Sequence, residues 1–215
     1  MAGGIGQAGR PRVALAMRIL KHLLWLIPLI LVIAVVVLLT YTAYARDNER
    51  RYHASLRKSL QVRSNDFQNA QEIPQRFSCR GEGVSPHVAW TGAPETTKSY
   101  ALITMDWDAP SPSLRLFPIV HWVLYNIPND VNEIPQAATT TVLNERKIVA
   151  GTNIAGAAQY APPCPPLGQH QYVFHVYALD VDQVQPASND KAAVMKAMAG
   201  HVLAYGELIG LKSAG

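Results

Sequence analysis

Cysteine is scarce in this chain, with only Cys79 and Cys164 among 215 residues, which is too few for a small domain stapled by several disulfides. Charge is thin as well, at 16% of residues, and it is missing altogether from Leu23 to Ala45. There is no Gly-x-Ser-x-Gly elbow and no His-Glu-x-x-His pair, so the sequence marks of a serine hydrolase and a zinc protease are absent. No internal repeat or low-complexity tract occurs. A basic face is lacking too, although the formal net charge is +4. Residues 1–63 hold ten Lys/Arg against two acidic residues, whereas residues 64–215 hold nine against thirteen, a net of −4. The main body is mildly acidic, which excludes the basic footprint of a nucleic-acid binder.

What is present at the N-terminus is an apolar run from Leu23 to Leu39 within the charge-free stretch that ends at Ala45. A helix rising 1.5 Å per residue needs about 20 such residues to cross a hydrocarbon core of about 30 Å. Arg10, Arg12, Arg18 and Lys21 precede the run with no acidic residue, which favours a cytoplasmic tail and an extracytoplasmic domain. A cleaved signal peptide competes with an uncleaved anchor, because Ala43-x-Ala45 is a small-x-small site. The run is longer than an ordinary signal core, so the anchor is the preferred reading. The organisation expected is a basic tail over 1–22, an anchor or signal segment over 23–45, a polar stalk over 46–60, and a folded domain over 61–215.

Inside that domain, β-branched and aromatic runs at His87–Trp90, Tyr100–Met105, Val120–Ile127 and Tyr172–Leu179 read as strands. Fifteen prolines and fourteen glycines punctuate the chain, most of them in this domain, which suits a β-sandwich better than a helical bundle. Near the C-terminus, Asn189 or Asp190 can cap a helix whose apolar face is Val194, Met198, Val202 and Tyr205. Gly200 falls inside that expected helix.

Three segments carry candidate chemistry: Asp106-Trp107-Asp108-Ala109-Pro110-Ser111, His121-Trp122-Val123-Leu124-Tyr125-Asn126-Ile127-Pro128, and the proline loop Tyr160–Tyr172. Taken singly, an Asp-x-Asp pair reads as a turn and a strand histidine as a satisfied core residue. Together, and with Phe67, Ile73-Pro74, Phe77-Ser78-Cys79, Ser85-Pro86 and Trp90 in order upstream, they make the chain from about Leu60 to Leu208 resemble the phosphatidylethanolamine-binding protein family, in particular its bacterial kinase-inhibitor-like branch. Trp107 stands where that family has proline, Pro162 where it has glycine, and the C-terminus lacks the family's aromatic and arginine.

The resemblance implies a mainly β fold, a Greek-key-type β-sandwich with a C-terminal helix, here preceded by one hydrophobic helix. It implies a small anion pocket at Asp106, Asp108, Pro110, His121, Pro166, His170 and Tyr172. The residue chemistry agrees, since histidine and tyrosine can donate to phosphate while Asp106 orients a histidine. Within Pro162–Pro166 only Cys164 keeps a backbone N–H, which adds it to the ligand set. The expectation is a non-enzymatic, anchored or exported binding protein without cofactor, for a phosphate- or carboxylate-bearing ligand such as a phospholipid headgroup. The alternatives are a protein-interaction module modulating a protease or kinase, and a hydrolase built on Cys164 with a histidine, or on a metal held by His and Asp. Whether Cys79 and Cys164 pair is open at this point, as is any protein partner.

Overall fold

The computed structural model describes residues 10–215, so residues 1–9 of the basic tail lie outside the described residues. The chain divides between Ala43 and Tyr44 into two compact units. The elements in order are α1 (Arg10–Ser55), β1 (Gln61–Arg63), β2 (Gln71–Glu72), β3 (Val88–Thr91), β4 (Ser99–Ala109), β5 (Phe117–Pro128), β6 (Glu133–Ile134), α2 (Thr140–Glu145), β7 (Val149–Gly151), β8 (Gln169–Leu179), α3 (Lys191–Met198) and β9 (Val202–Ser213).

The first unit is helical from Arg10 and, from Leu23 onward, apolar all round, with Trp25, Ile30, Leu31 and Val37 each more than half exposed. Its threonine hydroxyls are satisfied along the helix: Thr40 Oγ1 lies 2.9 Å from the carbonyls of Val36 and Val37, and Thr42 Oγ1 donates to the Leu39 carbonyl at 3.1 Å. A helix of this length and hydropathy can cross a membrane, and a signal sequence has the same properties.

In the second unit a three-stranded sheet, ordered β1-β3-β6, faces a six-stranded sheet ordered β2-β9-β8-β4-β5-β7. All pairings are antiparallel except β2 with β9. The large sheet is covered on both faces. Trp90, Leu102, Trp122, Leu124, Phe174 and Val176 fill the space between the sheets. Ala101, Ile103, Met105, Val123, Tyr177, Val194 and Met198 form a second cluster on the outer face, beneath α3. Burial on both sides explains why Tyr100–Ile103 is a continuous apolar run without alternation. Each of the large aliphatic side chains removed from water there contributes about 1.5–3 kcal/mol.

Two sequence expectations change in detail. The C-terminal helix is only α3, capped by Asp190, whose Oδ1 accepts from the Ala193 N–H at 2.9 Å. Gly200 has φ +83°, a left-handed conformation that stops the helix, and Val202 and Tyr205 belong to β9, which pairs along the whole of β8. The segment after the apolar run is also not a free stalk. Arg46–Ser55 continues α1 and packs on the domain: His53 stacks on His175 with ring centroids 4.3 Å apart, and Lys191 pairs with Glu49.

Candidate functional site

Adjacent ends of β4, β5 and β8 bring the candidate residues together. Asp106 on β4 is in register with Tyr172 on β8 and with Ile119 on β5. On β5 the register skips a residue, since Thr104 pairs with Trp122 and Met105 with Val120. His121 is the extra residue of this bulge. A bulge lets consecutive side chains share a face, and His121 and Trp122 both turn inward, His121 onto Tyr172 and Trp122 onto Tyr160. In a regular strand His121 would have pointed to the outer face.

Asp106 is shut away from water and fully engaged: Oδ1 accepts from the Asp108 N–H at 2.6 Å and Oδ2 from His170 Nδ1 at 2.7 Å. His170, equally buried, has its Nε2 3.2 Å from the Leu167 carbonyl. Both of its nitrogens therefore face acceptors. The expected aspartate-to-histidine contact is present, but it leaves His170 with no free donor for a ligand.

His121 is different. Its Nδ1 donates to the Ala161 carbonyl at 2.7 Å, and the Ala161 N–H returns a bond of 2.8 Å to the His121 carbonyl. Nε2 is buried with no partner. Burial pushes the His121 pKa below its ordinary value, and so does His170, while the Ala161 bond and the Asp106 charge pull it up. The neutral ring thus carries its proton on Nδ1 and presents a bare lone pair at Nε2. The Tyr172 hydroxyl is the second buried group without a hydrogen bond of ordinary geometry. Burial first, and then the Asp106 charge, push its pKa far up, so it stays a neutral donor; the Cys164 backbone N–H faces it and acts in the other direction. The two rings meet edge to face with centroids 4.9 Å apart.

The other candidates spread outward. Pro110 follows β4 through a cis peptide and is half-buried, while Pro166 is exposed on the loop. Asp108 does not face the histidines: its carboxylate accepts from the Gln171 N–H at 3.0 Å and pairs with Arg115 at 2.9 Å, lining a cleft on the opposite face of the sheet. Trp107 lines that same cleft. Cys164 is joined to Cys79, with Cα atoms 5.4 Å apart. The bridge and the Cys79 N–H to Pro163 carbonyl bond, at 3.0 Å, pin the proline loop to the turn at Gln75–Phe77. A bridged Cys164 offers no thiol, which removes the nucleophile from the cysteine-hydrolase alternative. The set does not suit a metal either, since Asp106 and His170 satisfy one another. The Ala161 and Leu167 carbonyls and Arg115 were not expected from sequence, as no local pattern distinguishes a loop carbonyl that will meet a histidine.

Comparison with known proteins places the fold in a family. The family described as "Phosphatidylethanolamine-binding protein" matches residues 63–213. A UPF0098 protein of Methanothermobacter thermautotrophicus is 39% identical over 153 residues, covering 71% of this chain and 97% of that protein. One of Chlamydia muridarum is 36% identical over 151 residues, covering 70% and 97%. Among solved structures, Escherichia coli YbcL, described as a new member of the mammalian PEBP family, superposes with a TM-score of 0.65 at 30% identity, covering 73% of this chain and 99% of that one. A putative phosphatidylethanolamine-binding protein homologue of Chlamydia trachomatis gives 0.63 at 34% identity, covering 72% and 97%.

Proposed function

Because the chain belongs to the phosphatidylethanolamine-binding protein family, we propose that it is a binding protein, without turnover, for a small phosphate- or carboxylate-bearing ligand such as a phospholipid headgroup. The ligand is held between His121 and Tyr172. The observation that carries this reading is the pair of buried, unpartnered polar atoms, His121 Nε2 and the Tyr172 hydroxyl, on touching rings. Leaving such groups unsatisfied costs about 1–3 kcal/mol each, a cost removed by a ligand that accepts from the Tyr172 hydroxyl and, once Nε2 takes up a proton, from His121. Asp106 is turned away from the ligand, its two oxygens taken by the Asp108 N–H and by His170 Nδ1. The loops flanking the site run close together at Gly168, where an added Cβ would meet the Pro112 ring at 3.2 Å.

The apolar helix supports a protein held at, or exported across, a membrane with this domain on the extracytoplasmic side. The test of the binding site uses the full chain in detergent, with the His121 side-chain nitrogens observed by NMR during titration with inorganic phosphate. Nε2 is expected to move saturably from the bare-nitrogen to the protonated range. An Nε2 resonance that stays put at saturating phosphate would refute the site.

A further inference from the structure

The polar face of Arg46–Ser55 points the wrong way for a docked helix. Arg46, Glu49, Arg50 and His53 recur at i, i+3, i+4 and i+7, which places them on one face, and that face lines a cleft against the outer surface of the large sheet. Helices bury apolar faces against a sheet and turn charge to water. The cleft has a volume of about 360 Å³, within the range of small-molecule sites. Its sheet wall is made by odd-numbered β8 positions, including Val173 and His175, whereas His170 and Tyr172 project from the other face.

The charges in this cleft do not cancel. Each lining carboxylate already has its own cation: Glu49 pairs with Lys191, Glu207 with Lys58, and Asp108 with Arg115. Arg46, half-buried, and Arg50 have no ion-pair partner among the described residues. His175 is 6% exposed, and its Nδ1 has no hydrogen-bond partner, the nearest carboxylate oxygen, on Glu207, being 3.8 Å away. Trp107, Val173 and Ile209 supply apolar wall.

Glu49, His53 and His175 also lie close enough to suggest a metal. Their geometry opposes it. The two imidazole planes are within 16° of parallel, so their in-plane lone pairs do not converge. In addition, His53 Nε2 is taken by the Tyr177 hydroxyl at 2.8 Å, and Glu49 by Lys191.

We propose that this cleft is a second anion site, for a phosphate monoester or diester with an apolar portion, held by Arg46 and Arg50 with the His175 Nδ1–H as donor and the organic part against Trp107. Arg46 is the first charged residue after the apolar run, so membrane phospholipid is one source of that ligand and a free phosphate ester is the other. The site is independent of the one between His121 and Tyr172.

The probe is phenyl phosphate, titrated by calorimetry into the full chain in a maltoside detergent that carries no phosphate. The Arg46→Gln/Arg50→Gln variant is expected to lose binding at this site by about tenfold or more, since charge-assisted contacts to phosphate are the strong ones. His175→Phe is expected to weaken the same site, while His121→Asn leaves it intact. Unchanged melting temperatures show that the arginine variant is folded, and these arginines sit on a helix surface that tolerates glutamine. Binding in Arg46→Gln/Arg50→Gln identical to wild type, with all binding lost in His121→Asn, overturns this site and leaves the proposed function standing. The reverse pattern overturns the His121 site and leaves this one. Repeating the titration in phosphatidylglycerol nanodiscs separates the sources: a lipid occupant blocks the probe, and a site for free esters still binds it.

Discussion

If an anion binds at His121, it must bring a proton with it. The perturbation is the addition of sulfate, which does not titrate between pH 5 and 8, to the Arg46→Gln/Arg50→Gln chain, so that the helix-side cleft contributes nothing. The Ala161 carbonyl fixes the single ring proton on Nδ1, so the neutral ring offers sulfate only a lone pair. Free His121 has its pKa pushed below 6.5 by burial and by the His170 charge, against the Asp106 charge and the Ala161 bond, so it is neutral at pH 7. A sulfate in contact with Nε2 stabilises the imidazolium and raises the pKa in the complex. Between the two values, binding takes up one proton, and affinity falls about tenfold, or about 1.4 kcal/mol, per unit rise in pH. The sign is definite: affinity is full at low pH and is lost as pH rises toward the pKa of the complex. Calorimetry in two buffers of different ionisation enthalpy measures the uptake directly. His121→Gln, whose amide can donate from near the Nε2 position without a charge, is expected to bind with no uptake, and His121→Asn to bind weakly. Buffer-independent heats and flat affinity from pH 5.5 to 8 in the otherwise wild-type site would show that neutral donors do the binding.

The ligand-free chain should lose stability as pH drops below 6.5, because burial lowers the pKa of both His121 and His175 in the folded state while the unfolded chain protonates at the ordinary value. Each contributes a slope of about 1.4 kcal/mol per pH unit down to its folded pKa, and urea unfolding at pH 7.5 against 5.5 checks the direction. Opening the Cys79–Cys164 bridge, which spans 85 residues, by Cys79→Ser/Cys164→Ser should cost about 2–4 kcal/mol in urea unfolding, and an unchanged midpoint would show that the bridge does not constrain the unfolded chain. Gly206→Ala should cost about 1–3 kcal/mol by thermal unfolding, because a Cβ there would sit 2.3 Å from the Leu60 carbonyl oxygen where the chain packs against β9.

The sequence alone determined whatever depends on local pattern and composition. The charge-free run from Leu23 to Ala45 has the length and composition of an apolar helix that is long enough to cross a membrane and that a signal sequence shares. The three central strands β4, β5 and β8 of the large sheet, and β3 of the small one, were legible in their β-branched and aromatic runs, whereas the short β2 and β7 were not. The Asp106, His121 and proline-loop motifs pointed to one family. Beyond that reach lay everything set by contacts distant in sequence. Val202 and Tyr205 keep helical spacing, yet they extend β8 as β9, because Gly200 releases the chain and a long open strand edge offers more hydrogen bonds than two further helical turns. Arg46–Ser55 reads as a solvated stalk until His53 finds His175 on the outer face, 122 positions later in the chain. His121 is aimed at Tyr172 only because a bulge against β4 turns it inward, and its tautomer is fixed by a carbonyl forty residues away. Periodicity fixes which face a residue would take in a regular element, but bulges, loop carbonyls and long-range ion pairs decide where its polar atoms end, and the chemistry of a site resides in those atoms.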